Sequence, residues 1–232
     1  MTRRTKIVCT LGPSVDSKNK IKALIEAGMN VARINCSHGD WETRKRWIQW
    51  IGELQPRLSP VGILIDLQGP KVRIGKVEGG GLKLRPGTPV TLAHKGDGNV
   101  HVPDENVFKS ISPDDRLIIG DGGVELRAIE RKGSAFLCMT VCGGAILPNQ
   151  GLTLAGKSFD LPPLTEKDKK DLREALGLGV DFIALSYVRS EKDIAGLKRV
   201  LAKTDPLVKT VAKIETREAL KGIEAIVRAS DV

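Results

Sequence analysis

The run Val61-Gly62-Ile63-Leu64-Ile65-Asp66-Leu67-Gln68-Gly69-Pro70-Lys71-Val72-Arg73 decides the fold. Val61 to Leu67 has the near-continuous apolar character of a buried strand, and Gln68-Gly69-Pro70 closes it. Two similar strands precede it, Lys6 to Leu11 and Asn30 to Cys36. Helical spacing follows each, first at Ile21, Leu24 and Ile25, then over residues 40–58 with Trp47, Trp50, Ile51 and Leu54 on one face. Strands separated by helices predict parallel pairing with right-handed crossovers. From Val72 to Lys157 the texture changes. Gly79-Gly80-Gly81, Pro86-Gly87, Gly96-Asp97-Gly98, Gly122-Gly123 and Gly143-Gly144 punctuate short alternating runs such as Phe136 to Cys142. That is the pattern of a small all-β insert.

The first texture returns after Phe159-Asp160-Leu161-Pro162-Pro163. Thr165 and Asp168 are spaced as an N-cap pair, ahead of Leu172, Ala175 and Leu176. Asp181 to Val188 predicts a fourth strand, and Ser190 and Asp193 open a helix carrying Ile194, Leu197, Val200 and Leu201. Val208 to Glu215 predicts a fifth strand, and Thr216 caps a helix with Leu220, Ile223, Ile226 and Val227. The expected class is therefore α/β, about five βα units in segments 1–71 and 158–232 around an inserted all-β domain at 72–157. An eight-fold barrel takes ~250 residues without insertions, so five units imply an open sheet or a part of a larger barrel.

Composition excludes several functions. The 232 residues carry 37 basic and 28 acidic side chains, a net charge of +9. Residues 1–100 hold 17 basic and 8 acidic groups, while the remainder is balanced at 20 of each. The positive half suits an anion, either nucleic acid or a phosphorylated small molecule. Aromatic residues at 3% argue against base-stacking recognition of nucleic acid. No apolar run approaches the ~20 residues of a membrane span, and Met1-Thr2-Arg3-Arg4 leads into a strand rather than a signal core, so a cytoplasmic protein is expected. Cys138 and Cys142 lie four apart with no nearby His, so the cysteines read as reduced packing residues, not zinc ligands.

Polar residues gather where strands end, the edge at which parallel α/β folds build their sites. Arg33, Asn35, Ser37 and His38 end the second strand, and Asp66 the third, with Lys71 and Arg73 beyond. Ser186 and Arg189 end the fourth, and Lys213 and Glu215 the fifth. A spacing of two puts Lys213 and Glu215 on one face of a strand, in a run whose neighbours read as buried. Singly, each group fits a solvated face or a turn cap. Together, the cations offer fixed charge for phosphate, and Glu215 and Asp66 offer hard oxygen ligands for a cation. Mg²⁺ takes only one or two protein carboxylates, its other ligands being water and substrate oxygens. Phosphoryl transfer by positioning and charge neutralisation fits that set.

At this point the sequence resembles the pyruvate kinases. The resemblance rests on ordered blocks: Thr5 to Pro13, Ala32 to Gly39, Asp66 to Arg73, Leu164 to Asp168, Asp181 to Arg189, and Ala212-Lys213-Ile214-Glu215. It implies a (β/α)8 TIM-type barrel, incomplete here, with a small β-barrel lid inserted after strand 3. It implies transfer of phosphate from phosphoenolpyruvate to ADP, giving pyruvate and ATP. By matched position, Lys213 is the electrophile beside the transferring group, Glu215 a Mg²⁺ (or Mn²⁺) ligand, and Arg33 and Arg73 hold phosphate oxygens. Asn35, Ser37 and Asp66 match the monovalent-cation pocket, His38 lies near the nucleotide, and Ser186 lines the substrate pocket. A homotetramer is implied for the complete enzyme. Nucleic-acid binding, and a Mg²⁺-dependent lyase acting on pyruvate, are the competing readings.

Three departures from the family pattern bear on chemistry. Lys71 stands where potassium-dependent members have Glu, and Leu67 where they have Thr, so a fixed ammonium is expected to replace K⁺. Gln150 and Ala155 stand where Lys and Pro are usual, so the nucleotide-phosphate contact that the resemblance implies is not carried over to Gln150. The family's next block, with its second Mg²⁺ carboxylate, would follow Ser230-Asp231, where this sequence reads Val232. The isolated chain is therefore expected to show no useful turnover.

Overall fold

The computed structural model describes residues 4–55, 58–120 and 122–232. In chain order the elements are β1 (Val8–Thr10), α1 (Lys18–Glu26), β2 (Val31–Asn35), α2 (Trp41–Leu54), β3 (Gly62–Asp66), β4 (Leu82–Leu84), β5 (Pro89–Ala93), β6 (Val100–His101), α3 (Glu105–Ser110) and β7 (Arg116–Ile119). There follow β8 (Val124–Lys132), β9 (Ala135–Cys142), β10 (Gly144–Ile146), β11 (Leu152–Leu154), α4 (Glu166–Leu176), β12 (Phe182–Leu185), α5 (Glu191–Thr204), β13 (Lys209–Ala212), α6 (Arg217–Lys221) and α7 (Ile223–Ala229). They form two compact units, one of Met1–Pro70 with Pro163–Val232, the other of Lys71–Pro162. The start of the first predicted strand's leader, Met1 to Arg3, and positions 56–57 of the second predicted helix lie outside the described residues.

In the first unit five strands lie in the order β1-β2-β3-β12-β13, every pair parallel. Spatial order thus follows chain order, as it does around a βα barrel and not in a doubly wound sheet. Side chains alternate across this sheet. Ala32, Ile34, Ile63, Ile65, Ile183 and Leu185 are buried against a helix layer that contributes Ile21, Ile25, Ile48, Ile51, Leu172, Ile194, Leu197 and Ile226. Caps fix where the helices start. Ser17 and Asp40 accept from the backbone of Lys20 and Thr43, and Thr165 and Asp168 form a reciprocal capping box.

The second unit holds a six-stranded sheet, β11-β7-β8-β9-β5-β6, and the antiparallel pair β10-β4. All its pairs are antiparallel except β5-β6. Gly133, at φ 59°, starts the two-residue loop between β8 and β9. Phe108, Phe136, Leu92, Leu117 and Leu126 are in its core, and Phe159 and Leu161 pack against it.

Four expectations are corrected. The insert is not purely β: Asp104 accepts from the N–H groups of Asn106 and Val107 and starts α3, which buries Val107 and Phe108. Strand β12 stops at Leu185 because Tyr187 turns left-handed at φ 55°. Strand β13 accordingly stops at Ala212, one ladder bond short of its loss of a partner: Lys213 N still donates to Leu185 O at 3.1 Å. Lys213 and Glu215 are therefore beyond the strand, and Ile214 between them is 39% exposed rather than buried. The last predicted helix is two, α6 and α7, broken at Gly222, with Leu220 and Val227 exposed at 63% and 62%.

Candidate active site

The sheet face opposite the helix layer carries polar groups on every strand at its C-terminal edge. Register places Thr10 beside Arg33, Asn35 beside Asp66, and Asp66 beside Ala184, two residues before Ser186. Ala184 pairs with Val211, two residues before Lys213. Because parallel neighbours share a facing, Thr10, Arg33, Asp66, Ser186 and Lys213 line one edge.

Asp66 is the hub. It is 2% exposed, and charge at that depth is costly without partners. Its Oδ2 accepts from Arg33 Nε at 2.8 Å and Nη2 at 2.5 Å, and Arg33 Nη1 donates to Thr10 Oγ1 at 2.8 Å. Lys213 Nζ lies 3.1 Å from Asp66 Oδ1 and 3.3 Å from Oδ2. Ser186 Oγ accepts from Lys213 Nζ at 2.8 Å and donates to Leu67 O at 2.7 Å. Glu215 Oε1 is 3.3 Å from Lys213 Nζ, and Tyr187 N donates to Glu215 Oε2 at 3.0 Å. Arg33 and Lys213 remain about a third exposed.

The backbone around this edge is closely fitted. Gly69 has φ 67°, and a Cβ there would lie 3.0 Å from both Ser186 Cβ and Ser186 O. Gly69 N donates to the fully buried carboxylate of Asp168 at 3.1 Å, so the α4 capping box also fixes the loop after β3. At the end of β2 the carbonyls are held by cations. Lys167 Nζ donates to Cys36 O at 2.6 Å, and buried Arg44 donates through Nη2 to His38 O at 2.7 Å and Gly39 O at 3.1 Å. Burial pushes the Cys36 thiol up to about 12.

The structure thus brings Arg33, Asp66, Ser186, Lys213 and Glu215 into one network. Asn35 Oδ1 instead accepts from Ser37 N at 2.9 Å, and His38 is exposed in the turn that follows. Lys71 and Arg73 belong to the other unit, where both are exposed and Arg73 donates to Asn149 O at 2.6 Å. Sequence reading missed three contributors: Thr10, Arg44 and the Tyr187 amide. Thr10 carried a signal, as a polar strand end aligned with Arg33. Arg44 carried none, since an arginine one turn into a helix reads as a solvated face.

Among the described residues no three His, Cys, Asp or Glu side chains gather to cage a metal. Glu215 still fits a Mg²⁺ site of the substrate-completed kind. Its Oε2 accepts one hydrogen bond and its Oε1 makes only an ion pair with Lys213, leaving lone pairs for a cation, and Mg²⁺ needs only one or two carboxylates.

The family model described as "Pyruvate kinase, barrel domain" matches residues 2–232. The chain belongs to the pyruvate kinase family. The pyruvate kinase of Corynebacterium efficiens is 41% identical over all of this chain and 50% of its own length. That of Mycobacterium tuberculosis is 39% identical with the same coverage, and that of Geobacillus stearothermophilus is 34% identical, with 41% of its length covered. The chain spans about half the length of the curated pyruvate kinases it matches. Among the described residues no helix is long and apolar enough to cross a membrane.

Proposed function

We propose that this chain supplies part of the active site for phosphoryl transfer from phosphoenolpyruvate to ADP, the pyruvate- and ATP-forming step of glycolysis. The carrying observation is the Arg33–Asp66–Lys213–Glu215 network at the C-terminal edge of the parallel sheet. In this reading the parallel sheet and its helices are five βα units of a TIM-type barrel, and the unit Lys71–Pro162 is the domain inserted after its third strand.

The residues divide the chemistry. Arg33 holds phosphoryl oxygens, and Lys213 faces the group in flight. The bond from phosphorus to the enol oxygen breaks as one from phosphorus to a β-phosphate oxygen of ADP forms, and the enolate takes a proton to become pyruvate. Lys213, with Ser186 and Asp66 fixing its ammonium, offsets negative charge on the leaving enolate oxygen. Glu215 would hold a Mg²⁺ or Mn²⁺ ion, which would supply neutralisation of phosphoryl charge. Asn35, Ser37 and Asp66 form the monovalent-cation pocket, His38 approaches the nucleotide, and the presence of Lys71 in the chain removes the requirement for K⁺.

The test is phosphoenolpyruvate binding to this chain, followed by ³¹P NMR, with Arg33→Met and Lys213→Met. Each variant should weaken binding by about tenfold, roughly 1.4 kcal/mol. Undiminished binding in both defeats the proposal. A coupled pyruvate assay on the chain should show no useful turnover. In a complete protein carrying Lys71, the rate should survive potassium-free buffer; a collapse there refutes the role given to Lys71.

A further inference from the structure

Three non-glycine residues among those described have positive φ: Asp114, Asn149 and Tyr187. Asp and Asn tolerate the left-handed region, whereas a bulky aromatic residue there is an outlier. Such strain persists only where its surroundings over-determine it. Around Tyr187 they do. Ser186 Oγ is tied to Leu67 O, Val188 is fully buried, and Thr216 Oγ1 donates to Val188 O at 2.9 Å. Gly69 leaves the room, the Tyr187 ring lying 3.2 Å from where its Cβ would be. The left-handed turn ends β12 and aims one group across to the end of β13: Tyr187 N–H donates to Glu215 Oε2 at 3.0 Å. Glu215 has no strand of its own to orient it. Its carboxylate is set by this N–H on one oxygen and by Lys213 on the other.

We propose that Tyr187 is a positioning residue whose strained backbone, not its ring, fixes the Glu215 carboxylate for a divalent cation. The proposal rests on the reading of Glu215 as a metal ligand given above. It explains why an unfavourable conformation sits at this edge, two residues from the last ladder bond of β12.

Three variants of the full chain test it: Tyr187→Val, Tyr187→Asn and Glu215→Gln. A β-branched residue resists the left-handed region, so Val should swing the N–H away; Asn accepts that region and should keep it. Mn²⁺ binding, followed by the EPR signal of the free ion, should weaken by about tenfold in Tyr187→Val, the lower end of what losing an outer-shell partner costs a metal site. Tyr187→Asn should bind as the parent does. Equal weakening in both assigns the effect to the ring and overturns the proposal, as does parent-like binding in both. A second readout needs no change at position 187. In Glu215→Gln the Tyr187 amide proton should move upfield and exchange faster in ¹⁵N-edited spectra, and an unmoved amide overturns the positioning role. Absence of Glu215-dependent Mn²⁺ binding in the parent chain, with the amide response intact, instead defeats the metal reading of the site and the purpose assigned to Tyr187 with it.

Discussion

The unit built on the parallel sheet buries Arg44, Asp66, Asp168, Asp171 and Asp193 together with Ser186 and Thr210, whereas the unit Lys71–Pro162 buries one polar side chain among its described residues, Thr140. Both units have a closely packed apolar core. What differs is the treatment of charge. Thr140 Oγ1 needs only the carbonyl of Thr88, at 2.7 Å. The first unit instead holds ions at depth, Asp66 at the end of β3 and Arg44, Asp168, Asp171 and Asp193 in the first two turns of helices. Buried ions are a poor way to stabilise a fold compared with apolar replacements of the same shape. Their concentration in one unit marks where the molecule has traded stability for a site.

That contrast can be broken. Phe136→Ala should cost about 4 kcal/mol, because a fully buried ring packed edge-on against Phe108 leaves a cavity. Hydrogen exchange should report the loss in β5, β8 and β9; a change confined to the parallel sheet would contradict the division into units. Asp66→Ala should cost about 3 kcal/mol, since Arg33 and Lys213 lose the carboxylate that both contact. Urea unfolding measures it, and a loss under about 1 kcal/mol would mean the network is no more than a surface ion pair.

A smaller effect comes with acid. Hydrogen bonds from the Thr210 backbone, above all, hold the Asp231 carboxyl below its ordinary 3.8. A depressed folded value means the stabilising contribution is complete above 3.8 and disappears as pH falls through the lower folded value. The Thr210 amide should therefore lose protection only below that point, and loss nearer neutrality would assign it to another group. The smallest effect is common to both units. Burial pushes Cys36 and Cys138 to about 12, so an aromatic disulfide reagent at pH 8 should label exposed Cys142 readily and leave those two for the unfolded chain.

Much of this was legible in the sequence. Apolar runs separated by helical spacing marked the five strands and their parallel pairing, and the polar ends Arg33, Asp66, Ser186 and Lys213 stood out against apolar neighbours. What was hidden depended on long-range geometry. Ile214 extended the apolar pattern of the fifth strand, yet the ladder fails there because Tyr187, on the neighbouring strand end, has already turned away. Leu220 and Val227 kept helical spacing but face outward. The Asp104 cap before α3 was readable and was masked by the surrounding glycine-rich hairpins. No local pattern could pair Arg33 with Asp66, which lies 33 positions away.

Arg33 and Lys213 contribute two positive charges to the edge, and Asp66 and Glu215 return two negative ones. At rest the edge is electrically balanced. A bare phosphate ester approaching it gains little long-range pull, despite the overall basic character of the chain. A neutral edge draws in charge of either sign only weakly, so selection there falls to short-range geometry rather than to long-range attraction.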